Sequence, residues 1–181
     1  HTVDDVEGLV GLYDAVNIEE AQTLLEQSGE ELPITLRIGW FDNGQNQRRA
    51  DQIALTSESC GQVEGFEIVD AGSPGFFDGE LDAGETWDIA MFAWAGSPVK
   101  NGTVGTFDTG GGNNNGRYSN PEVDALVAEL AASLDLEEQV ALANQIDALL
   151  WEDLATLPVF SFPAVAAWND NLHNVVYNPS Q

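Results

Sequence analysis

Carboxylates dominate the chemistry this sequence could perform, with 31 Asp and Glu against five Lys and Arg, two His and a formal net charge of −26 in 181 residues. The densest group lies in "FFDGELDAGETWD", where Asp78, Glu80 and Asp82 are spaced like the first three ligands of a calcium loop. The sixth position is Ala83, where that turn needs glycine, and the twelfth is Ile89, where a bidentate Glu belongs. The group therefore reads as a solvated acidic turn. Glycoside hydrolysis by two facing carboxylates would need one of them in an apolar pocket that raises its pKa, and no acid is visibly so placed. Ser57, Ser59, Ser97 and Ser161 have no histidine in a workable relation, because His1 and His173 lie at the chain ends. The single cysteine, Cys60, reads as a small packed hydrophobe at a helix end, and excludes both an internal disulfide and a cysteine-based zinc cluster. The "GGGNNNG" tract is followed by no GK[ST], so it is no phosphate cradle. No metal, cofactor or catalytic residue is predicted.

What remains are aromatic residues at predicted strand ends. Trp40 and Phe41 close "LPITLRIGWF", and Trp94 opens "WAGSP", where Ala95, Gly96 and Ser97 form a small uncharged loop. An indole there would offer a flat apolar face to a ligand, and a glycine would let backbone approach closely. For Trp40 and Trp94 core packing is the competing role.

The elements that must position these residues follow from periodicity. "NIEEAQTLLEQSG" carries a cap at Asn17, Glu20 at the capping-box position, an Ala21, Leu24 and Leu25 stripe, and a stop at Gly29. Ile34, Leu36, Ile38 and Trp40 alternate with Thr35, Arg37 and Gly39, predicting a strand with one buried face. A helix is predicted from about Arg48 to Cys60, then a strand through Val63, Phe66, Ile68 and Val69. "WDIAMFAW" is apolar on both faces, which predicts a central strand over Trp87–Ala93 covered above and below. Residues 101–119 form a long Gly/Asn-rich loop that cannot pack as a regular element. Asn120 and Pro121 then restart a helix, "LEEQVALANQIDALLWEDLATL" supplies another, and "PVFSFP" and "AVAAW" read as extended segments that rejoin the sheet before a tail over 169–181.

This alternation predicts one α/β domain over 1–181, with a mainly parallel sheet flanked by helices. In such sheets ligands bind beyond the carboxyl ends of the strands, where "GWFDNG" and "AWAGSP" both fall. The charge excludes nucleic acid as a partner and disfavours anionic membrane surfaces, and no apolar segment has the length for membrane insertion. The chain opens without Met or a signal peptide and is read as an excised piece of a longer protein.

The order of these segments resembles the C-terminal part of the extracellular solute-binding proteins of family 5, the peptide- and nickel-type binding subunits of ABC importers. The resemblance rests on Trp87, Asp88, Ile89, Ala90 and Trp94, on "YSNPEVDAL" from Tyr118 to Leu126, and on "DLATLPVF". It implies a periplasmic-binding-protein-like lobe of type II, part of a two-lobed clamshell, without catalysis. The implied ligand is a peptide or other small polar solute. The implied partners are the ABC permease subunits, and the implied location is extracellular or periplasmic, with lipoprotein anchoring through an N-terminal part outside this sequence. It further implies that the loop after Trp94 lines the cleft. Where peptide binders place an aspartate for the peptide ammonium, this chain has Ser97, which accepts a hydrogen bond and supplies no charge, so sugars, modified peptides and other solutes stay open, and the candidate substitute acids are Asp42 or one from the absent lobe. The competing classes are an extracellular carbohydrate-active hydrolase using Asp and Glu, and a non-catalytic interaction module.

Overall fold

The computed structural model describes residues 15–94, 104–159, 167–169 and 171–173. They fall into two compact units, one within Gly11–Ala93 and one within Trp94–Gln181.

The first unit is a three-stranded parallel sheet with helices. Helix α1, Ile18–Ser28, starts at a reciprocal cap in which Asn17 Oδ1 accepts from the Glu20 backbone N–H at 3.1 Å and Asn17 Nδ2 donates to Glu20 Oε2 at 2.9 Å. It ends at Gly29, whose φ of 73° suits a residue without Cβ. Of its predicted stripe, Leu25 is buried and Leu24 is exposed. Strand β1, Ile34–Phe41, leads through helix α2, Gln47–Cys60, to β2, Phe66–Ser73. A π-helical turn, Phe76–Glu80, and the short helix α3, Leu81–Ala83, precede β3, Ile89–Ala90.

The strand order is β2-β1-β3, with β1 parallel to both neighbours, in register from Ile34↔Phe66 to Phe41↔Ser73 on one side and at Ile38↔Ile89 and Gly39↔Ala90 on the other. The predicted parallel arrangement of these three strands therefore holds, and each link is a crossover rather than a hairpin. Among the described residues the central place predicted for the Trp87–Ala93 strand is taken by β1. Strand β3 is two residues long at the edge among the described residues, with Ile89 at 42% exposure and Met91 half-buried.

The alternation of β1 sets what each face of the sheet meets. Ile38 and Trp40 point toward α2 and pack with Ile53, Ala50, Ile68 and Met91. The opposite face receives the segment before β3: a Cβ on Gly39 would stand 2.6 Å from Trp87 Cβ and 2.9 Å from Phe76 Cε2, so only glycine admits them. Trp87 is apolar because it covers this gap, not because its strand is sandwiched. Its indole N–H donates to the Glu80 carbonyl at 3.2 Å.

Asp88 latches the edge strand to the centre. Its carboxylate accepts from Arg37 Nε (2.9 Å), Nη2 (2.8 Å) and the Arg37 backbone N–H (2.7 Å), while Arg37 Nη1 donates to the Glu85 carbonyl at 2.8 Å. The guanidinium and backbone hydrogen bonds from Arg37 hold the Asp88 carboxyl down at about 2. A depressed folded pKa stabilises above the unfolded value, about 3.9, and that contribution disappears as pH falls through about 2. The expected result is that Asp88→Asn lowers stability at pH 6, and that its deficit relative to wild type shrinks between about pH 4 and pH 2. Urea melts of both proteins across that window check this; a deficit constant to pH 2 would remove the charge from the account.

Among the described residues the second unit is built on a helical pair. Helix α4, Pro121–Ala132, is capped by Asn120 Oδ1, which accepts from the Glu122 N–H at 2.9 Å. Helix α5, Leu136–Glu152, is capped by Asp135 Oδ1, which accepts from the Glu138 N–H at 3.0 Å. Val123, Val127 and Leu130 pack against Leu142, Ile146 and Leu150, with Phe107 and Tyr118 covering the cluster.

Over 104–119 the Gly/Asn-rich segment forms no helix or strand and is folded on itself. Asn114 Nδ2 donates to the carbonyls of Asp108 (3.0 Å) and Tyr118 (2.7 Å), and its Oδ1 accepts from the Tyr118 N–H (2.9 Å). Tyr118 Oη donates to Asp153 Oδ2 at 2.5 Å, and burial together with that bond pushes the phenol up to about 12. Side-chain amides thus supply what apolar burial does not. The predicted "PVFSFP" and "AVAAW" segments and the tail over 169–181 lie largely outside the described residues.

Candidate functional site

Parallel strands direct their carboxyl ends to one edge, and three features of the sheet unit meet there. Phe41 ends β1, Phe92 follows β3, and Phe77 stands on the π-turn between β2 and β3. The Phe77 ring lies 5.6 Å from Phe41, tilted by 36°, and 6.4 Å from Phe92, edge to face at 82°. Beneath it Phe76, fully buried, touches Phe77 edge to face at 5.1 Å. Phe77 itself is 54% exposed, and Phe41 and Phe92 are half-buried. These ring contacts hold Phe77 against its neighbours while more than half of its own surface stays exposed.

Next to it, at the start of α2, a crevice of about 230 Å³ is lined by Trp40, Asp42, Gly44, Asn46, Gln47 and Asp70, among others. Asp42 Oδ1 accepts from the Gly44 N–H at 2.8 Å. Asp70 Oδ1 accepts from the Trp40 indole N–H at 2.7 Å and from the Gly72 N–H at 2.8 Å. These bonds fix one oxygen of each carboxylate. The crevice thus presents hydrogen-bond acceptors and amides, and no histidine or thiol among its lining groups.

Of the predicted site residues, Phe41 takes its place in the aromatic rim. Trp94 is 55% exposed in the other unit, and Ala95, Gly96 and Ser97 lie outside the described residues. Trp40 is placed differently: at 2% exposure it belongs to the core beside Ile38 and Ile53. The strand's period of two turns it toward α2, and Gly72 opposite leaves room for the indole, since a Cβ there would stand 2.5 Å from Nε1. Phe77 is the residue that sequence reasoning missed. Its signal was the pair Phe76–Phe77 on a tight turn, where both rings cannot enter the core.

Chemistry of the catalytic kind finds little support in these positions. Ser73 Oγ donates to Glu80 Oε1 at 2.8 Å and Ser57 Oγ to the Ile68 carbonyl at 3.5 Å, neither of them to a histidine. Cys60 lines an apolar cavity with Ala21, Leu25, Val63 and Phe66, and burial raises its thiol. Among the described residues Asp147 of α5 is a carboxyl that burial pushes up, where the sequence had shown none so placed. Among the described residues no group of three or more His, Cys, Asp and Glu is arranged to hold a metal ion, and no helix is long and apolar enough to cross a membrane.

A parallel α/β sheet flanked by helices is the fold of a periplasmic-binding-protein-like lobe. The solved OppA of Haemophilus influenzae, in complex with the peptide RPPGFSPFR, superposes with a TM-score of 0.68 at 26% identity, over 80% of this chain and 29% of that one. NikA of Staphylococcus aureus, solved with Ni(L-His)2, matches with a TM-score of 0.62 at 23% identity over 77% of this chain, a likeness of fold. In sequence the chain is 30% identical to the oligopeptide-binding protein OppA of Mycobacterium tuberculosis over 163 residues, 89% of this chain. No family model matches the sequence. The chain belongs to the extracellular solute-binding proteins of family 5, and it spans 27% of the length of that OppA.

Proposed function

We propose that residues 1–181 form most of one ligand-binding lobe, the C-terminal one, of an ABC-importer substrate-binding protein. The observation that carries this reading is the match to an oligopeptide-binding protein over 89% of the chain. The solute is a peptide or another small polar molecule; Phe41 with the aromatic rim is one set of candidate contacts, and Trp94, Ala95, Gly96 and Ser97, the set that the resemblance implies, is proposed separately. The protein hands this solute to permease subunits, and no catalytic step is part of the reading. An extracellular or periplasmic location and lipid anchoring draw support from relatives named as lipoproteins, such as one from Mycobacterium leprae at 28% identity.

A thermal-shift screen of the full-length protein tests this against peptides, oligosaccharides and a nickel–histidine chelate. A ligand at about 100 times its Kd contributes about 2.7 kcal/mol to stability, a shift of several degrees. Peptides are expected to give that shift. Silence from all three classes would overturn the proposal.

A further inference from the structure

We propose that Asn43 is a self-modification site: in the folded protein its side-chain amide is displaced by the Gly44 backbone nitrogen with Asp42 as the base, leaving aspartate or isoaspartate beside the crevice at the start of α2.

Asn43 and Gly44 are both exposed in the turn between β1 and α2. Gly44 has a φ of 72°, and a Cβ built on it would meet nothing within 4 Å, so no side chain shields its nitrogen. Two hydrogen bonds prepare the pair from opposite sides. The Gly44 N–H donates to Asp42 Oδ1 at 2.8 Å, which sets a carboxylate on the proton that the nucleophile must shed. The Gln45 N–H donates to Asn43 Oδ1 at 3.0 Å, which sets a donor on the oxygen where negative charge develops. Each bond alone is an ordinary turn contact of an Asx side chain. Together they align base, electrophile, nucleophile and oxyanion donor along the consecutive residues Asp42, Asn43, Gly44 and Gln45.

The Gly44 nitrogen forms a bond to Asn43 Cγ as its proton passes to Asp42. The Cγ–Nδ2 bond then breaks, Nδ2 takes that proton and leaves as ammonia, and a cyclic imide remains. Water opens the imide at either of its two carbonyls. Breaking the new bond at Cγ gives aspartate, and breaking the original backbone bond gives isoaspartate, whose main chain is longer by one methylene. Nothing is oxidised or reduced. Asp42 and Gly44 line the crevice, so either product sets a further carboxylate next to it. The same residue pair recurs at Asn115–Gly116, where the preceding side chain is the amide of Asn114, turned to the Asp108 and Tyr118 carbonyls. That pair is an internal comparison.

Incubation of the full-length protein in warm neutral buffer, followed by tryptic digestion and fragmentation mass spectrometry, tests this without any ligand. Asn43 falls in the peptide Ile38–Arg48 and Asn115 in Asn101–Arg117. In guanidinium chloride the two sites should lose ammonia at similar rates, whereas in the folded protein Asn43 is expected to convert about tenfold faster than Asn115. Asp42→Ser keeps a turn acceptor without the charge, and is expected to slow conversion at Asn43 by about tenfold while the rate at Asn115 stays as it is. Conversion of Asn43 that is slower in the folded protein than in guanidinium chloride would show that the turn protects the amide, and would overturn the proposal. A rate at Asn43 unchanged by Asp42→Ser would overturn it too, because the difference between the two sites would then come from protection of Asn115.

Discussion

Trp40→Ala is expected to cost the sheet unit about 3–5 kcal/mol, the largest loss of stability for any single truncation at the strand ends. The indole is 2% exposed and fills the space between β1 and α2 against Ile38 and Ile53, so removing it leaves a cavity that the two rigid elements cannot close. The substitution also removes the donor that ties Asp70 Oδ1 at 2.7 Å. Trp40→Phe keeps most of the volume and loses the hydrogen bond, and is expected to cost about 1–2 kcal/mol. Since whole domains are stable by only about 5–15 kcal/mol, the alanine variant should melt at markedly lower urea, and circular dichroism of the chain is the measurement. Solute affinity of the folded fraction should change little. A Trp40→Ala protein with wild-type stability and lost affinity would put the indole in the binding wall after all.

That contrast shows where the sequence speaks and where it stops. Alternation of Ile38 and Trp40 with Arg37 and Gly39 announces a strand with two different faces, and Asn17 with Glu20, or Asn120 with Pro121, announces helix starts, because these signals are local. The parallel sheet follows from the spacing of strands and helices. What is not legible is which partner each face meets. Arg37 and Asp88 lie 51 residues apart, and nothing in either neighbourhood marks the pair. The run Trp87–Ala93 is apolar for two separate reasons, Trp87 covering Gly39 and Phe92 joining Phe77, and a hydropathy pattern cannot distinguish these from a buried central strand. For the same reason the sequence names Phe41 as a site residue and passes over Phe77. The aromatic rim exists only where a strand end and a turn converge. The loop over 104–119 hides its order in a similar way, in the reach of Asn114 to Asp108 and Tyr118 rather than in any apolar pattern.

If the loop that begins at Trp94 lines the solute cleft, Trp94→Ala in the full-length protein should weaken binding by ~5- to 150-fold, or about 1–3 kcal/mol. The ring is 55% exposed, so its truncation opens no closed cavity, and the melting curve should move far less than in Trp40→Ala. Ile89→Ala is the control at the edge of the sheet. A central, covered strand would have made that change cost about 2–5 kcal/mol. With Ile89 at 42% exposure and paired only through Ile38 among the described residues, the expected cost is about 1 kcal/mol, without effect on affinity. The three variants separate three roles by two measurements, denaturant melts and solute titration. Trp40→Ala should lose stability, Trp94→Ala affinity, and Ile89→Ala little of either. Loss of stability in Trp94→Ala with affinity intact would move Trp94 into the core and overturn its proposed contact with the solute.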